Sequence, residues 1–261
     1  MMLSGARDIR AGRWGADLAL TLVERRIWLR TKRSKLWAFW PFLIPGSLMA
    51  LYVLVFKGIF RVPIPDYPLF ILSGLLPWVF LTQTLGDSLT SLVSDADLIR
   101  SARFPYELLP IASVTVMFLY FLISIAMFIG LLATMGRLDL AALPAVVFPI
   151  LSLYLFVAGL SLLLSLVDVY NRDLRSILGN LLAAWFFLVP VLYKPEMAEG
   201  GLAVLLHVDP VAILVGQFRG ALYYHVTRPS ELLLGLAICS ASFLACLGVF
   251  RLFSPRLPKD I

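Results

Sequence analysis

Charged residues are scarce in this chain. Only 15% of its 261 residues are Asp, Glu, Lys or Arg, against about 25% in soluble globular domains. Hydrophobic residues reach 61% and the mean hydropathy is +0.92, which suits a bilayer better than a soluble core. The apolar residues form continuous blocks of about 18 residues or more, typical of spanning helices, whereas a membrane barrel alternates over roughly 10 residues. The sequence therefore predicts an all-α membrane protein.

Motifs for nucleotide binding and covalent chemistry are also missing. The sequence contains no GxxxxGK(S/T) phosphate loop, no HExxH and no GxSxG, so it offers none of the sites that these motifs build. His207 and His225 are the only histidines, and Cys239 and Cys246 share one apolar block, so neither pair suggests a metal site. We expect this chain to hold no catalytic residue, metal or cofactor.

The apolar blocks contain almost no ionisable residues in their centres. Carriers driven by protons or sodium usually place Asp, Glu or His within the bilayer, so an ion-coupled carrier is disfavoured. A membrane enzyme, such as a glycosyltransferase or a lipid phosphatase, predicts clustered carboxylates, but the acidic residues here are scattered. The energy source for transport is therefore expected outside this chain.

Six apolar blocks predict six spans within one domain, 1–261, at approximately 37–56, 67–86, 106–135, 142–167, 176–193 and 231–252. Nine of the 22 basic residues precede the first block, and the N-terminus has no signal peptide pattern. With both termini in the cytoplasm, 16 of the 22 basic residues lie on the inner side, as the positive-inside rule favours. The positive charge therefore indicates membrane topology and not nucleic-acid binding.

Residues 16–33 are amphipathic and precede the first span. Leucines and Trp28 lie near one side of a helix, and another side carries a group of charges: Glu24, Arg25, Arg26, Arg30 and Lys32. This pattern predicts an interfacial helix whose cations face anionic lipid. The alternative is a solvated arm, which has no use for Trp28 and the leucines.

The predicted cytoplasmic loop 87–105 is polar and ends at Pro105. Its apolar residues recur at helical spacing: Leu89, Leu92, Val93, Ala96 and Ile99. We predict a short amphipathic helix that docks a cytoplasmic partner through this apolar edge and the charges beside it. A plain connecting loop is the alternative.

The external region 194–230 is mostly apolar, although Asp209 and Pro210 divide it into stretches too short to span. We predict a re-entrant pair of helices over 197–225 that packs against the bundle. Arg219 lies in these apolar surroundings. It is either a functional residue or the partner of an acidic side chain, namely Asp209, Glu196 or Glu199.

Aromatic residues lie near the middle of two predicted spans, away from the usual interfacial positions. They are Trp78, Phe80, Trp185, Phe186 and Phe187. Aromatic faces suit the apolar faces of sugar rings, and stacking tolerant of sequence would suit a polymer that slides past. Packing between helices is the alternative role for each of them.

Four runs of sequence carry a family pattern: ILSGLLPWVF (71–80), SLVSDADLIRSARFPYELLPIASV (91–114), VDVYNRDLRSILGNLLAAWFFLVPVLY (167–193) and DPVAILVGQFRGALYY (209–224). In order and spacing they resemble the permease subunit of type-2 ATP-binding-cassette exporters of polysaccharides, and most of all the lipopolysaccharide O-antigen exporter permeases. The resemblance covers nearly the whole chain. Capsular polysaccharide or teichoic acid exporters are the alternatives, and a drug or small-lipid exporter of the same fold is less favoured.

The resemblance implies a homodimer in the bacterial inner membrane, with two copies of a separate ATPase that binds the ATP and Mg. The first, second and fifth spans then line a pathway for an undecaprenyl-diphosphate-linked polysaccharide. The predicted pathway residues are Trp78, Phe80, Trp185, Phe186, Tyr193 and Arg219. The predicted ATPase-coupling residues are Arg25, Arg26, Asp95, Asp97, Arg100, Arg103, Arg172 and Asp173.

Overall fold

The computed structural model describes residues 11–32, 39–58, 63–101 and 104–257, with only the backbone of 11–16. Within these ranges the regular structure is helical and no strand occurs, which confirms the predicted class. The helices are α1 Ala11–Thr31, α2 Trp40–Gly58, α3 Tyr67–Leu89, α4 Ser91–Ser94, α5 Ala96–Ser101, α6 Leu108–Thr134, α7 Leu143–Tyr170, α8 Leu174–Leu188, α9 Gly201–Val208, α10 Pro210–Arg219 and α11 Pro229–Phe253. Gly220–Tyr224 extends α10 as a π-helical turn.

Five of these helices are long and apolar enough to cross a membrane: α2, α3, α6, α7 and α11. The count becomes six if α9 and α10, which meet at a bend of 79°, form one broken span. The bend falls at Asp209 and Pro210, where the sequence predicted a break. The re-entrant course of this pair stays a prediction, and residues 37 and 38 of the first predicted span lie outside the described ranges.

The fifth predicted span, 176–193, corresponds to a helix that ends earlier than expected. Helix α8 has 15 residues and ends at Leu188, a rise of about 22 Å against a hydrocarbon core of about 30 Å. Pro190 lacks an N–H and restricts the residue before it, and Val189 is accordingly extended at φ −76° and ψ 133°. The apolar run continues to Tyr193 as non-helical chain.

Helix α3 lies at the centre of the bundle. Its most apolar stretch is 83% buried, against 6% for α2 and 17% for α11. It packs on α2, α6, α7, α8 and α10, while α11 packs along α7 at the periphery. Gly159 allows that approach, because a Cβ there would lie 3.2 Å from the Cα of Phe243.

Segments that the topology places on one side of the membrane lie together at one end of the molecule. The predicted cytoplasmic segments meet in an apolar group that we call the inner cluster: Leu22, Leu92, Ile99, Tyr106, Leu109, Ala112, Leu162, Leu166, Phe250 and Leu257. At the other end Asp66 pairs with Arg137 at 2.6 Å, and the Tyr223 hydroxyl donates to the Pro65 carbonyl at 2.5 Å. We call these the inner and outer ends. That the inner end faces the cytoplasm stays a prediction.

The predicted loop helix is two short helices, α4 and α5, divided at Asp95. Their apolar edge faces the bundle, since Leu92 is fully buried and Ile99 is 2% exposed. The sequence-based expectation that this edge meets a partner was therefore wrong. The surface left for a partner is the opposite, polar one.

Candidate substrate pathway and coupling surface

Three of the predicted pathway residues meet where α8 packs on α3. The ring of Trp78 lies 6.1 Å from that of Trp185, edge-on, and 5.5 Å from that of Phe186. Tyr52 of α2 stacks on Phe186 at 5.6 Å. These four residues form what we call the aromatic cluster. Aromatic pairs of this kind contribute about 0.5–1.5 kcal/mol each beyond their burial, so the cluster holds α2, α3 and α8 together.

Phe80 does not join the aromatic cluster. It is buried against α6, where it stacks on Phe121 at 4.8 Å and meets Phe118 at 6.0 Å. Two residues along a helix rotate a side chain by about 200°, so Trp78 and Phe80 point to opposite sides of α3. Both residues lie in one uninterrupted apolar run, and sequence alone gave no sign of which side faced α8.

The exposed aromatic surface lies one residue beyond the predicted pair on α8. Trp78 and Phe186 are 6% and 8% exposed, whereas Phe187 is 69% exposed. Phe187 and Tyr193 border an apolar recess of about 260 Å³ at the outer end. A ligand outside the protomer therefore meets Phe187 and Tyr193 before it meets Trp78.

Helix α8 is packed along one narrow stripe only. Leu178, Leu182 and Phe186 are its buried residues, spaced four apart, so they occupy one side of the helix. The remaining sides are exposed and include Asn180, a polar residue in the middle of an apolar helix. Asn180 was not among the predicted pathway residues, although a lone amide within an apolar run was the available signal.

Arg219 lies in the interior, at the end of α10. It is 2% exposed, and its guanidinium donates to the carbonyl oxygens of Pro190 and Val191. The guanidinium also lies 3.7 Å from the centre of the Phe70 ring. Among the described residues it forms no ion pair, so of the two alternatives for Arg219 the one that paired it with Asp209, Glu196 or Glu199 was wrong.

The predicted coupling residues on α1 and the loop helices bind one another. Arg25 and Arg26 both donate to the carboxylate of Asp95, at 3.0 and 2.7 Å. Arg26 also donates to the Ser113 hydroxyl at 2.5 Å, and Arg30 pairs with Asp87. Arginines that we expected to face lipid headgroups therefore join α1 to the segment between α3 and α5.

Four of the other five predicted coupling residues lie on the surface of the inner end. Asp97 and Arg100 are exposed on α5, and Arg103 lies outside the described ranges. Arg172 and Asp173 are exposed in the turn between α7 and α8. These side chains are open to a partner that binds at the inner end, and their coupling role stays a prediction.

A bidentate ion pair closes that turn. Arg175 donates to the two carboxylate oxygens of Asp168, with Nε to Oδ1 at 2.8 Å and Nη2 to Oδ2 at 2.7 Å. Asp168 is fully buried, and two parallel hydrogen bonds fix the geometry as well as the charge. The pair therefore joins the last turn of α7 to the first turn of α8.

Five helices long and apolar enough to cross a membrane define the broad class of this chain, which is a multi-pass membrane protein. No family model matches the chain. It is 32% identical over 231 residues to the O-antigen export system permease protein RfbA of Myxococcus xanthus, covering 87% of this chain and 88% of that protein. Two proteins of the same name from Klebsiella pneumoniae are 27% and 26% identical over 204 residues, covering 78% of this chain and 79% of each. The chain belongs to the family of O-antigen export permeases.

Proposed function

We propose that this chain is the membrane-spanning subunit of an ATP-driven exporter that carries a lipid-linked O-antigen polysaccharide across the bacterial inner membrane. The observation that carries the proposal is the similarity to the Myxococcus xanthus permease, which extends over 87% of the chain. Two copies of the chain form the pathway, and two copies of a separate ATPase bind at the inner end. The undecaprenyl-diphosphate anchor rests on the family resemblance alone.

The open surfaces of α2 and α8 support a pathway between two copies. These helices pack on α3 from one side and expose the rest of their surface. Asn180 on that surface has an amide that hydrocarbon would leave without hydrogen bonds, which is costly. A water-filled passage between the copies satisfies the amide and places the exposed ring of Phe187 beside a passing sugar chain.

The inner cluster supports coupling to the ATPase. Leu22 of α1, Leu92 of α4 and Leu166 of α7 contribute to this one group. A push on the exposed side of α4 and α5 would therefore reach α1 and the end of α7 through packed side chains. From the end of α7, the Asp168–Arg175 pair would transmit this displacement to α8.

The proposal is tested in the native bacterium, with the gene deleted and a tagged copy restored. We expect surface O-antigen to disappear on deletion while the polymer accumulates inside the cell. We also expect a soluble ATPase with a GxxxxGK(S/T) loop to copurify with the tagged chain in equal amount. Charge reversal at the exposed inner end, Asp97→Lys, should reduce the ATPase that copurifies by several fold.

The matched control is Arg228→Glu, which reverses an exposed charge at the outer end and should leave the copurified ATPase unchanged. A chain that purifies without any ATPase, or a deletion strain with normal surface O-antigen, would refute the proposal.

A further inference from the structure

Helix α10 is attached to the outer end of α8 at both of its own ends. Its N-terminal cap, Asp209, contacts Trp185 on α8. Its last residue, Arg219, contacts the chain that follows α8. Ten residues separate the two contacts, a helix length of about 15 Å. Two polar attachments on one short helix prevent it from pivoting about either of them.

The carboxylate of Asp209 serves both helices. One oxygen accepts from the indole N–H of Trp185 at 2.7 Å, and the other accepts from the backbone N–H of Val211 at 2.8 Å. The second bond caps α10, whose N-terminal dipole favours a negative charge there. Asp209 is 7% exposed, and loss of its carboxylate would leave a part-buried indole N–H without this partner.

Arg219 binds backbone carbonyls of the non-helical chain that follows α8. Pro190 stops the helix, and the guanidinium then takes the carbonyls of Pro190 and Val191. A cation near the C-terminal end of a helix also matches its dipole. Gly74 of α3 leaves the necessary room, because a Cβ there would lie 3.0 Å from Nη2 of Arg219.

Helix α9 has no comparable attachment in the described structure. Leu206 is its one buried residue, and Val204 and Val208 are 67% and 72% exposed. It packs on α10 and on the turn Pro195–Met197, both of which adjoin it in sequence. Gly200, directly before it, has φ +61° and ψ −133°, a conformation that glycine adopts most readily.

We infer that Asp209 and Arg219 are positioning residues that keep α10 on α8 and α3 throughout the export cycle, so that at the outer end α9 alone moves relative to α10, between Gly200 and Asp209. We call Asp209 and Arg219 the outer clamp. The static part of this inference concerns the fold alone, whereas the movement of α9 during export rests on the proposed function.

The test uses the intact complex in membranes and reads the exposure of single cysteines to a membrane-impermeant maleimide added at the outer face. Cys239 and Cys246 are first replaced by Ala. Val215→Cys reports on α10, because Val215 is fully buried against α3, and Leu206→Cys reports on α9. We expect Arg219→Met or Asp209→Ala to raise the labelling rate of Val215→Cys at least tenfold. During ATP turnover, only Leu206→Cys should become faster.

Conservative and control variants separate positioning from general loss of structure. Arg219→Lys keeps a donor for the carbonyls and should restore most of the protection at Val215→Cys. Arg228→Met, a matched change at an exposed arginine, should have no effect. Trp185→Phe removes only the indole bond to Asp209, so it should raise the labelling rate less than Asp209→Ala, which also removes the cap of α10. The double variant should label no faster than Asp209→Ala alone. In assembled complexes, Arg219→Met should lower the polymer exported per ATP hydrolysed more than tenfold.

Equal labelling of Val215→Cys with and without the outer clamp would overturn the inference, as would labelling of Val215→Cys that rises with ATP turnover as much as that of Leu206→Cys. The resting measurement needs no transport, so it holds or fails separately from the proposed function. If the proposed function fails, the tagged chain purifies without an ATPase, or the deletion strain keeps its normal surface O-antigen.

Discussion

The two ends of the molecule use charge in different ways. The inner end is joined by arginine–carboxylate pairs between side chains that are mostly part-exposed: Arg25–Asp95, Arg26–Asp95, Arg30–Asp87, Arg175–Asp168 and Arg251–Glu107. The outer end has two pairs of exposed side chains, but its interior contacts join a charge to neutral groups, Arg219 to carbonyls and Asp209 to an indole. Exposed ion pairs contribute about 0.2–1 kcal/mol and weaken in salt. A buried polar atom left unsatisfied costs about 1–3 kcal/mol.

This difference suits the two roles that we propose. Part-exposed pairs can be exchanged for contacts with a partner at little cost in free energy, as an ATPase-binding surface requires. Buried contacts to the backbone have no such replacement, so they keep the outer end of α8 in one arrangement. The inner end is thus adjustable, and the outer end is fixed except at α9.

The largest effect is expected at Arg219. Arg219→Met leaves the carbonyls of Pro190 and Val191 buried without a donor, and should lower the free energy of unfolding by about 2–4 kcal/mol. Thermal unfolding of the purified protein in detergent measures it. The control, Arg228→Met, loses only an exposed pair with Glu231 and should change little. Equal shifts for the two variants would remove the contrast between buried and exposed contacts.

Asp168 is the exception at the inner end, because it is buried. Asp168→Ala should cost about 1.5–3 kcal/mol, the range for hydrogen bonds to charged groups. Asp173→Ala, in the same turn but exposed, is the comparison and should cost much less. Thermal unfolding again provides the measurement. If Asp168→Ala lowered the free energy of unfolding as little as Asp173→Ala, the inner end would have no stabilising contact comparable to the buried contacts of the outer end.

Gly200 tests whether the start of α9 needs glycine. Gly200→Ala puts a Cβ on a backbone at φ +61° and ψ −133°, at a cost of about 1–3 kcal/mol. Gly201→Ala is the matched control, since neither position has an atom within 4 Å of the added Cβ. Circular dichroism during heating should separate the variants. Two superimposable curves would show that α9 tolerates another conformation at its start.

The smallest effects are expected at Arg25 and Arg26, which share Asp95. The side chain of Arg25 is 56% exposed and that of Arg26 is 19% exposed, so Arg25→Ala should cost about 0.5 kcal/mol or less and Arg26→Ala more. The cost of Arg25→Ala should vanish in about 0.5 M salt, because salt screens the attraction between exposed charges. The Debye length is about 10 Å at an ionic strength of about 0.1 M and is shorter at five times that concentration. Unfolding measured at two salt concentrations decides this, and the reverse order of the two costs would contradict the assignment.

Sequence reasoning located the helices well because length and continuous hydrophobicity carry that information directly. It also placed the break at Asp209 and Pro210, since proline and a capping residue interrupt an apolar run visibly. It could not say that Phe80 turns away from Trp78, because both are aromatic residues in one run and only the neighbours of α3 distinguish them. The inward orientation of the apolar edge of α4 and α5 was missed for the same reason. An amphipathic pattern predicts an apolar edge but does not tell whether that edge packs against the same chain or against a partner.

The sequence by itself determined that this chain is a membrane protein, how many apolar segments it has and which family it resembles. These properties follow from the composition and from the order of residues along the chain. Tertiary structure alone decided that Arg219 binds carbonyls and not a carboxylate, that Trp185 donates to Asp209, and that α8 is packed on one stripe. Each of these contacts joins residues distant in the chain, and their geometry depends on how α3, α8 and α10 fit against one another.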